Sequence, residues 1–168
     1  DRLLEECVAP HLRVAVAIAV NTGMRLNTIL TLKWSHIDFA KGEIANTSKG
    51  GKMIRVPMTQ QLRSELLRYR ENAVISINGW LIPSPKNPFA CMRVDANFGF
   101  HTACRRAGIA KFTFHDLRHT FASHFLMRTK DIHTLAQILG HSTTYMTERY
   151  THILDDAKRE AMRIFEEG

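Results

Sequence analysis

Three short stretches of the sequence carry side chains suited to chemistry. Thr22-Gly23-Met24-Arg25 places a cation just past a glycine. His115-Asp116-Leu117-Arg118-His119 sets His115 and Arg118 at i and i+3, neighbours on one face of a helix. Leu139-Gly140-His141 is followed, nine residues on, by Tyr150. A fourth stretch, Lys49-Gly50-Gly51-Lys52, offers a lysine on a glycine turn. Each has an ordinary alternative: a surface arginine, an exposed basic helix end, a structural histidine, a core tyrosine. Thr113-Phe114-His115-Asp116 has the form of a capping box with Asp in place of Glu. His115 and Arg118 then fall in a first helical turn, whose free N–H groups and positive dipole end favour an anion. Taken as a set, two arginines, a lysine, two histidines and a tyrosine suit transfer at a phosphodiester. The arginines would neutralise a pentavalent phosphorus centre. The tyrosine would attack and hold the phosphate covalently. The lysine and a histidine would move the protons.

Other chemistries fit the residues less well. His115 and His119 have the i,i+4 spacing of paired zinc ligands, and His124 follows on the same helix. However, Asp116, Leu117 and Arg118 fill the gap where a metalloprotease places its glutamate, and Arg118 would oppose a cation. No GxxxxGK[ST] loop supports ATP chemistry, and no GxSxG elbow supports serine hydrolysis. Neither a metal nor another cofactor is expected.

The chain has 168 residues, a length that suits one domain or two very small ones, and its 45% hydrophobic and 23% charged residues are those of a globular protein. No apolar run approaches the ~20 residues of a membrane helix, and no signal peptide is visible, so no membrane partner is expected. Net charge is +7. Residues 41–70 hold Lys41, Lys49, Lys52, Arg55, Arg63, Arg68 and Arg70 against Glu43 and Glu65, which concentrates most of that surplus. Such a stretch suits a polyanion, commonly nucleic acid. Cys7, Cys91 and Cys104 form no CxxC pair, which fits a reducing, cytoplasmic setting better than a disulfide framework. The chain opens on Asp1 rather than Met, so a piece of a longer protein is expected.

The patterning predicts a mostly α-helical α+β fold with one small antiparallel sheet. Leu12 to Val20 is apolar almost all round, as in a buried helix, although its β-branched residues also allow a strand. Thr22-Gly23 interrupts it, and Arg25 to Leu32 resumes a helical pattern. From Ile37 to Pro57 the period becomes two: a short strand at 37–39, a second at 43–47, the glycine turn, and Ile54 and Val56 beyond it, which together form a β-hairpin. Leu62, Leu66, Tyr69 and Ala73 predict a helix. Pro83, Pro85 and Pro88 mark an irregular, mobile connection. Helices are expected over 93–107, from Thr113 through Phe125, and from an Asp131 cap to a Gly140 stop. A short segment around 143–150 and a last helix from Leu154 to Phe165 complete the chain.

The pieces TGMRLNTILTLKWSHID, SKGGKMIRVPM, FHDLRHTFASHF and ILGHSTTYMTERYTH, in this order and followed by a final helix, resemble the catalytic domain of the tyrosine recombinases. That family includes the phage integrases and Xer-type resolvases. The resemblance runs from about Thr22 to His152. HxxRH and LGH with Tyr at +9 are its most specific parts. It implies the family's catalytic-domain fold over residues 1–168, with an N-terminal core-binding domain that nothing in this segment resembles. By position, Arg25, Lys49, His115, Arg118 and His141 match the catalytic residues, and Tyr150 matches the nucleophile. The family mechanism then implies a 3′-phosphotyrosine intermediate and a freed 5′-hydroxyl, without metal or ATP. Lys49 would protonate the leaving oxygen, His115 would assist proton transfer at the tyrosine, and the arginines would grip the phosphate. His141 would donate a further hydrogen bond.

The resemblance also implies double-stranded DNA as partner, with Lys49, Lys52 and Arg55 as contacts. A homotetramer on two sites is expected, built by passing the last helix to a neighbour. The setting would be the bacterial cytoplasm or nucleoid, in a phage or other mobile element. One departure stands out: Thr28 occupies the position where the family often has a glutamate, so support for the first arginine is weakened. Two alternatives remain: a type IB topoisomerase-like enzyme, and a DNA-binding accessory module on an inactive scaffold. Lys52 is a rival for Lys49, which is favoured by the family's KGxK spacing. Lys49→Ala is expected to slow DNA cleavage far more than Lys52→Ala, and gel-resolved cleavage rates showing the reverse ranking would reassign the role.

Overall fold

The computed structural model describes residues 2–47, 51, 53–73, 76–87, 89–92, 99–141, 150, 162–163 and 165–166. Its centre is helix α2 (Pro10–Thr22), which follows a single turn, α1 (Arg2–Glu5). Pro10 suits the first helical position, where its missing N–H costs nothing. Residues 15–19 of α2 are fully buried, which explains why the helix is apolar all round: it is enclosed on every side. Length and the proline start decide for helix over strand.

Gly23 ends α2 in the left-handed region at φ 65°, with its N–H on the Ala19 carbonyl. Helix α3 (Leu26–Leu30) leaves at a new angle from Arg25, which takes extended backbone at its N-cap. It is shorter than the sequence pattern predicts. Thr31 ends it, its N–H and hydroxyl both taking the carbonyl of Asn27.

A 3₁₀ turn at Trp34–His36 leads into a three-stranded antiparallel sheet, β1 (Ile37–Asp38), β2 (Glu43–Thr47) and β3 (Met53–Pro57), in that spatial order. Ile37 pairs with Ile44 and Ile44 with Val56, and all three are buried. The period-two pattern therefore marks the face turned to the core. The hairpin register continues to Thr47 opposite Met53. Helix α4 (Gln60–Glu71) is capped by Thr59, whose hydroxyl accepts from the Leu62 N–H. It buries Leu62 and Leu66 against the core. Arg13 of α2 forks onto Glu65 of α4 at 2.9 and 2.8 Å, and this bidentate pair holds the Glu65 carboxyl below its usual range.

Part of the connection after α4 is tied to the core just before the first of its prolines. Leu81 and Ile82 are fully buried. The Leu81 N–H reaches the Leu32 carbonyl at 2.9 Å, and Met92 N–H the Ile82 carbonyl at 2.9 Å. An apolar pair between the turns anchors a segment whose prolines suggest only irregularity. Helix α5 (Phe100–Arg106) begins later than its sequence pattern, because Gly99 takes φ 79° at its start; residues 93–98 lie outside the described residues.

Helix α6 (Phe114–Thr129) opens on the expected capping box, the Asp116 carboxylate accepting from both the N–H and the hydroxyl of Thr113. Helix α7 (Ile132–Leu139) is capped by Asp131, which accepts from the Thr134 N–H. At its end Gly140 turns left-handed and the His141 N–H reaches back to the Ala136 carbonyl, a Schellman closure. The last helix read from the sequence lies almost wholly outside the described residues, although 162–163 and 165–166 are helical. No described helix is long and apolar enough to cross a membrane.

Gly23 is the tightest junction. A Cβ there would stand 2.5 Å from Leu139 Cδ2 and 2.6 Å from Phe121 Cδ1, at a φ that L side chains avoid. Gly23→Ala is expected to lower unfolding free energy by about 1–3 kcal/mol. Urea unfolding of both proteins checks this, and an unchanged midpoint would mean α6 and α7 do not close on this turn.

Candidate active site

Three helix ends meet at one side chain. Arg118 lies in the first turns of α6 and is only 5% exposed. Its Nη1 donates to the Gly23 carbonyl at 2.7 Å, just past α2. Its Nη2 donates to the Leu139 carbonyl at 2.9 Å, at the end of α7, and to His141 Nε2 at 2.8 Å. A guanidinium only donates, so His141 Nε2 accepts here and its ring carries the proton on Nδ1. The Schellman closure at Gly140 is what sets His141 beside Arg118.

Arg25 sits at the corner between α2 and α3 and is exposed. It lines an open cleft of about 480 Å³ together with Arg118 and the Gly140 turn, and the far wall comes from Asn46, Thr47 and Ile54 of the hairpin. Thr28 also lines this cleft, one helical turn after Arg25. Burial first and repulsion from Arg25 second, partly offset by Tyr150, bring the Arg118 pKa down to about 10. Arg118 remains charged at neutral pH but poorly solvated, so an anion entering the cleft gains a strong partner.

Tyr150 is 6% exposed. It packs on Ala122 and Leu126 of α6 and Leu135 and Leu139 of α7. Its hydroxyl lies 2.6 Å from Nδ1 of His119, the residue after Arg118. His115 is exposed, one turn earlier, and its ring meets that of His119 edge to face at 4.8 Å. Lys49 and Lys52 lie outside the described residues; Thr47, two residues before Lys49 in the chain, lines the cleft. Arg55 is exposed on β3 and stands 3.8 Å from Glu43 across the hairpin.

The structure therefore brings Arg25 and Arg118 to one cleft, with His141 hydrogen-bonded to Arg118, Tyr150 against His119 and His115 at the surface of the same helix. The residue that reasoning from sequence passed over is His119. The sequence weighs it only as a zinc ligand paired with His115 and rejects that role, whereas its ring nitrogen meets the tyrosine hydroxyl. Among the described residues no cluster of His, Cys, Asp and Glu could hold a metal ion.

Comparison with known proteins decides the family. The model of the phage integrase family matches residues 1–157. The chain belongs to the phage integrase family. It is 31% identical to the integrase of Salmonella phage P22 over 172 aligned residues, covering 96% of this chain and 44% of that protein. The crystal structure of XerA recombinase superposes with a TM-score of 0.79 at 31% identity, over 98% of this chain and 60% of that one. The structure of XerH site-specific recombinase bound to difH substrate, a pre-cleavage complex, gives 0.78 at 25% identity, over 98% and 52%. The fold is that of the tyrosine recombinase catalytic domains. This integrase-family chain spans about half the length of most of the curated relatives it matches.

The cleft makes a measurable demand. Inorganic phosphate, raised at constant ionic strength with chloride as the balance, is expected to lift the thermal midpoint by about 2–4 °C, the shift that about 1 kcal/mol of linked binding gives a domain of this size. Arg25→Ala should lose most of that shift. An equal shift in both proteins would place the anion elsewhere.

Proposed function

We propose that this chain is the catalytic domain of a site-specific DNA recombinase, joined in its whole protein to a DNA-clamping N-terminal domain. The observation that carries the reading is the buried Arg118, fixed by two helix ends and paired with Arg25 on one cleft beside a tyrosine. Two cations at one cleft, one of them fixed, suit a phosphodiester, whose transition state concentrates negative charge on the non-bridging oxygens. A tyrosine provides the covalent step.

In this reading double-stranded DNA enters with its scissile phosphate between Arg25 and Arg118. The Tyr150 hydroxyl attacks phosphorus, the bond to the 5′-oxygen breaks, and a 3′-phosphotyrosine forms. Lys49, on the hairpin that walls the cleft, supplies the proton for the leaving oxygen. His115 assists proton transfer at the tyrosine. As the phosphate takes over Arg118, His141 is released to turn an N–H onto a phosphate oxygen. The 5′-hydroxyl of another strand then attacks phosphorus and expels the tyrosine. The bond energy stays in the phosphotyrosine, so the cycle has no step that calls for a nucleotide.

Lys49, Lys52 and Arg55 make the basic hairpin a backbone contact for the DNA, and binding should weaken steeply with salt. Four copies on two DNA sites, linked through their last helices, would align the strands for exchange. Such an enzyme works where DNA is, in the bacterial cytoplasm or nucleoid.

The test is a covalent trap. Full-length protein is incubated with a nicked suicide duplex carrying its own recombination site, and the products are resolved by denaturing gel and peptide mass spectrometry. A DNA adduct on the peptide containing Tyr150, absent from Tyr150→Phe, is the expected result. Clear binding to that duplex without any adduct would overturn the recombinase reading in favour of a DNA-binding accessory module.

A further inference from the structure

The position after Arg118 carries a group that the scheme above leaves idle. We infer that His119, through Nδ1, is the general base that takes the phenolic proton of Tyr150 during strand cleavage. This rests on the recombinase reading. Its own support is geometric. Nδ1 and the hydroxyl are 2.6 Å apart, within the range of a good O–H···N bond. The hydroxyl thus already lies against a ring nitrogen that accepts its proton in the tautomer protonated on Nε2, one residue along the helix from the cation that faces the cleft. His115 lies a full turn further back and at the surface, with its ring edge-on to that of His119.

The surroundings of His119 suit a transient cation. Asp116 lies one turn back on α6, its carboxylate held charged first by the Thr113 N–H and then by the Thr113 hydroxyl, with His119 and His115 contributing at longer range. Among the described residues, the titratable and charged groups near His119 are Asp116, His115 and Arg118 on its own helix and Tyr150 from the C-terminal segment. Arg118 disfavours a second positive charge, and Asp116 favours it.

The step balances. The phenolic O–H breaks as Nδ1–H forms, and the oxygen lone pair makes the bond to phosphorus. The bond from phosphorus to the 5′-oxygen breaks, and its electron pair leaves with that oxygen, which takes its proton from Lys49. In rejoining, the imidazolium returns the proton to the departing phenolate. The sequence reading gave the proton task at the tyrosine to His115; here His115 becomes a neighbour that tunes the base.

The experiment measures single-turnover formation of the Tyr150 adduct by the full-length protein on the same nicked duplex, from pH 5.5 to 8.5. His119→Asn and His119→Ala are compared with wild type. Asn still presents an acceptor to the hydroxyl but takes no proton near neutrality. At pH 7 both variants should be slower by about 100-fold or more, the usual worth of a positioned base. The wild-type rate should fall below about pH 6.5 as the imidazole protonates, and the Asn variant should lose that limb and climb with pH toward the phenol range. Duplex binding, read by filter retention, should be unchanged in the Asn variant, which covers the case in which the Ala variant folds poorly. An Asn rate within about threefold of wild type would show that His119 only holds the hydroxyl and would overturn the inference. A wild-type profile flat across the range would do the same. Failure of wild type to form any adduct at Tyr150 would sink the recombinase reading itself, and this inference with it.

Discussion

A buried guanidinium with no carboxylate partner among the described residues is the constraint around which this domain is arranged. Taking Arg118 out of water is costly unless its donors are met. They are met by carbonyls at the ends of α2 and α7 and by His141. Helix C-termini leave carbonyls unbonded and carry the negative end of the dipole, so two of them aimed at one cation replace a counter-ion. Because none of the described acids neutralises it there, the positive charge stays available to an incoming anion. A salt bridge at the same place would have held the side chain equally well and spent its charge.

That arrangement explains why the helices stop where they do. Gly23 and Gly140 both take left-handed backbone, and each frees a carbonyl next to Arg118. Gly23 has a second duty. Phe121 and Leu139 press on its missing Cβ, so α6 and α7 approach α2 more closely than any side chain would permit. Leu139 also belongs to the buried apolar cluster that holds Tyr150, with Ala122, Leu126 and Leu135. Cation, glycine turn and Tyr150 are therefore linked by packing. A change at the turn reaches the tyrosine without touching it.

The remainder of the fold supplies walls. The sheet buries Ile37, Ile44 and Val56 on one face and presents Asn46 and Thr47 to the cleft. The Arg13–Glu65 fork ties α4 to the central helix on the far side. Thr28, an uncharged residue, lines the cleft beside Arg25. None of the described residues lining that cleft is acidic, so the pair of arginines keeps its charge for an incoming anion.

Much of this was legible in the residues, because it depends on local rules. The all-round apolar run of α2, the alternating hairpin, the Thr113–Asp116 box, the Asp131 cap and the Gly140 stop are each decided within a few residues, and the structure has them all. Where local rules misled, a longer-range partner was responsible. The 93–107 pattern took no account of the left-handed turn at Gly99, and the prolines of 83–88 drew the eye from Leu81 and Ile82, which are tied to Leu32 and Met92. The sequence alone determined the element types and the residue types available for phosphate chemistry. Only the tertiary structure decided that Arg118 is buried, that His141 accepts from it, and that His119 rather than His115 meets Tyr150. Those facts depend on contacts between residues 21 to 95 positions apart. No period or cap along the chain records which helix ends will converge on one side chain; that is settled when α6 and α7 pack against the turn at Gly23.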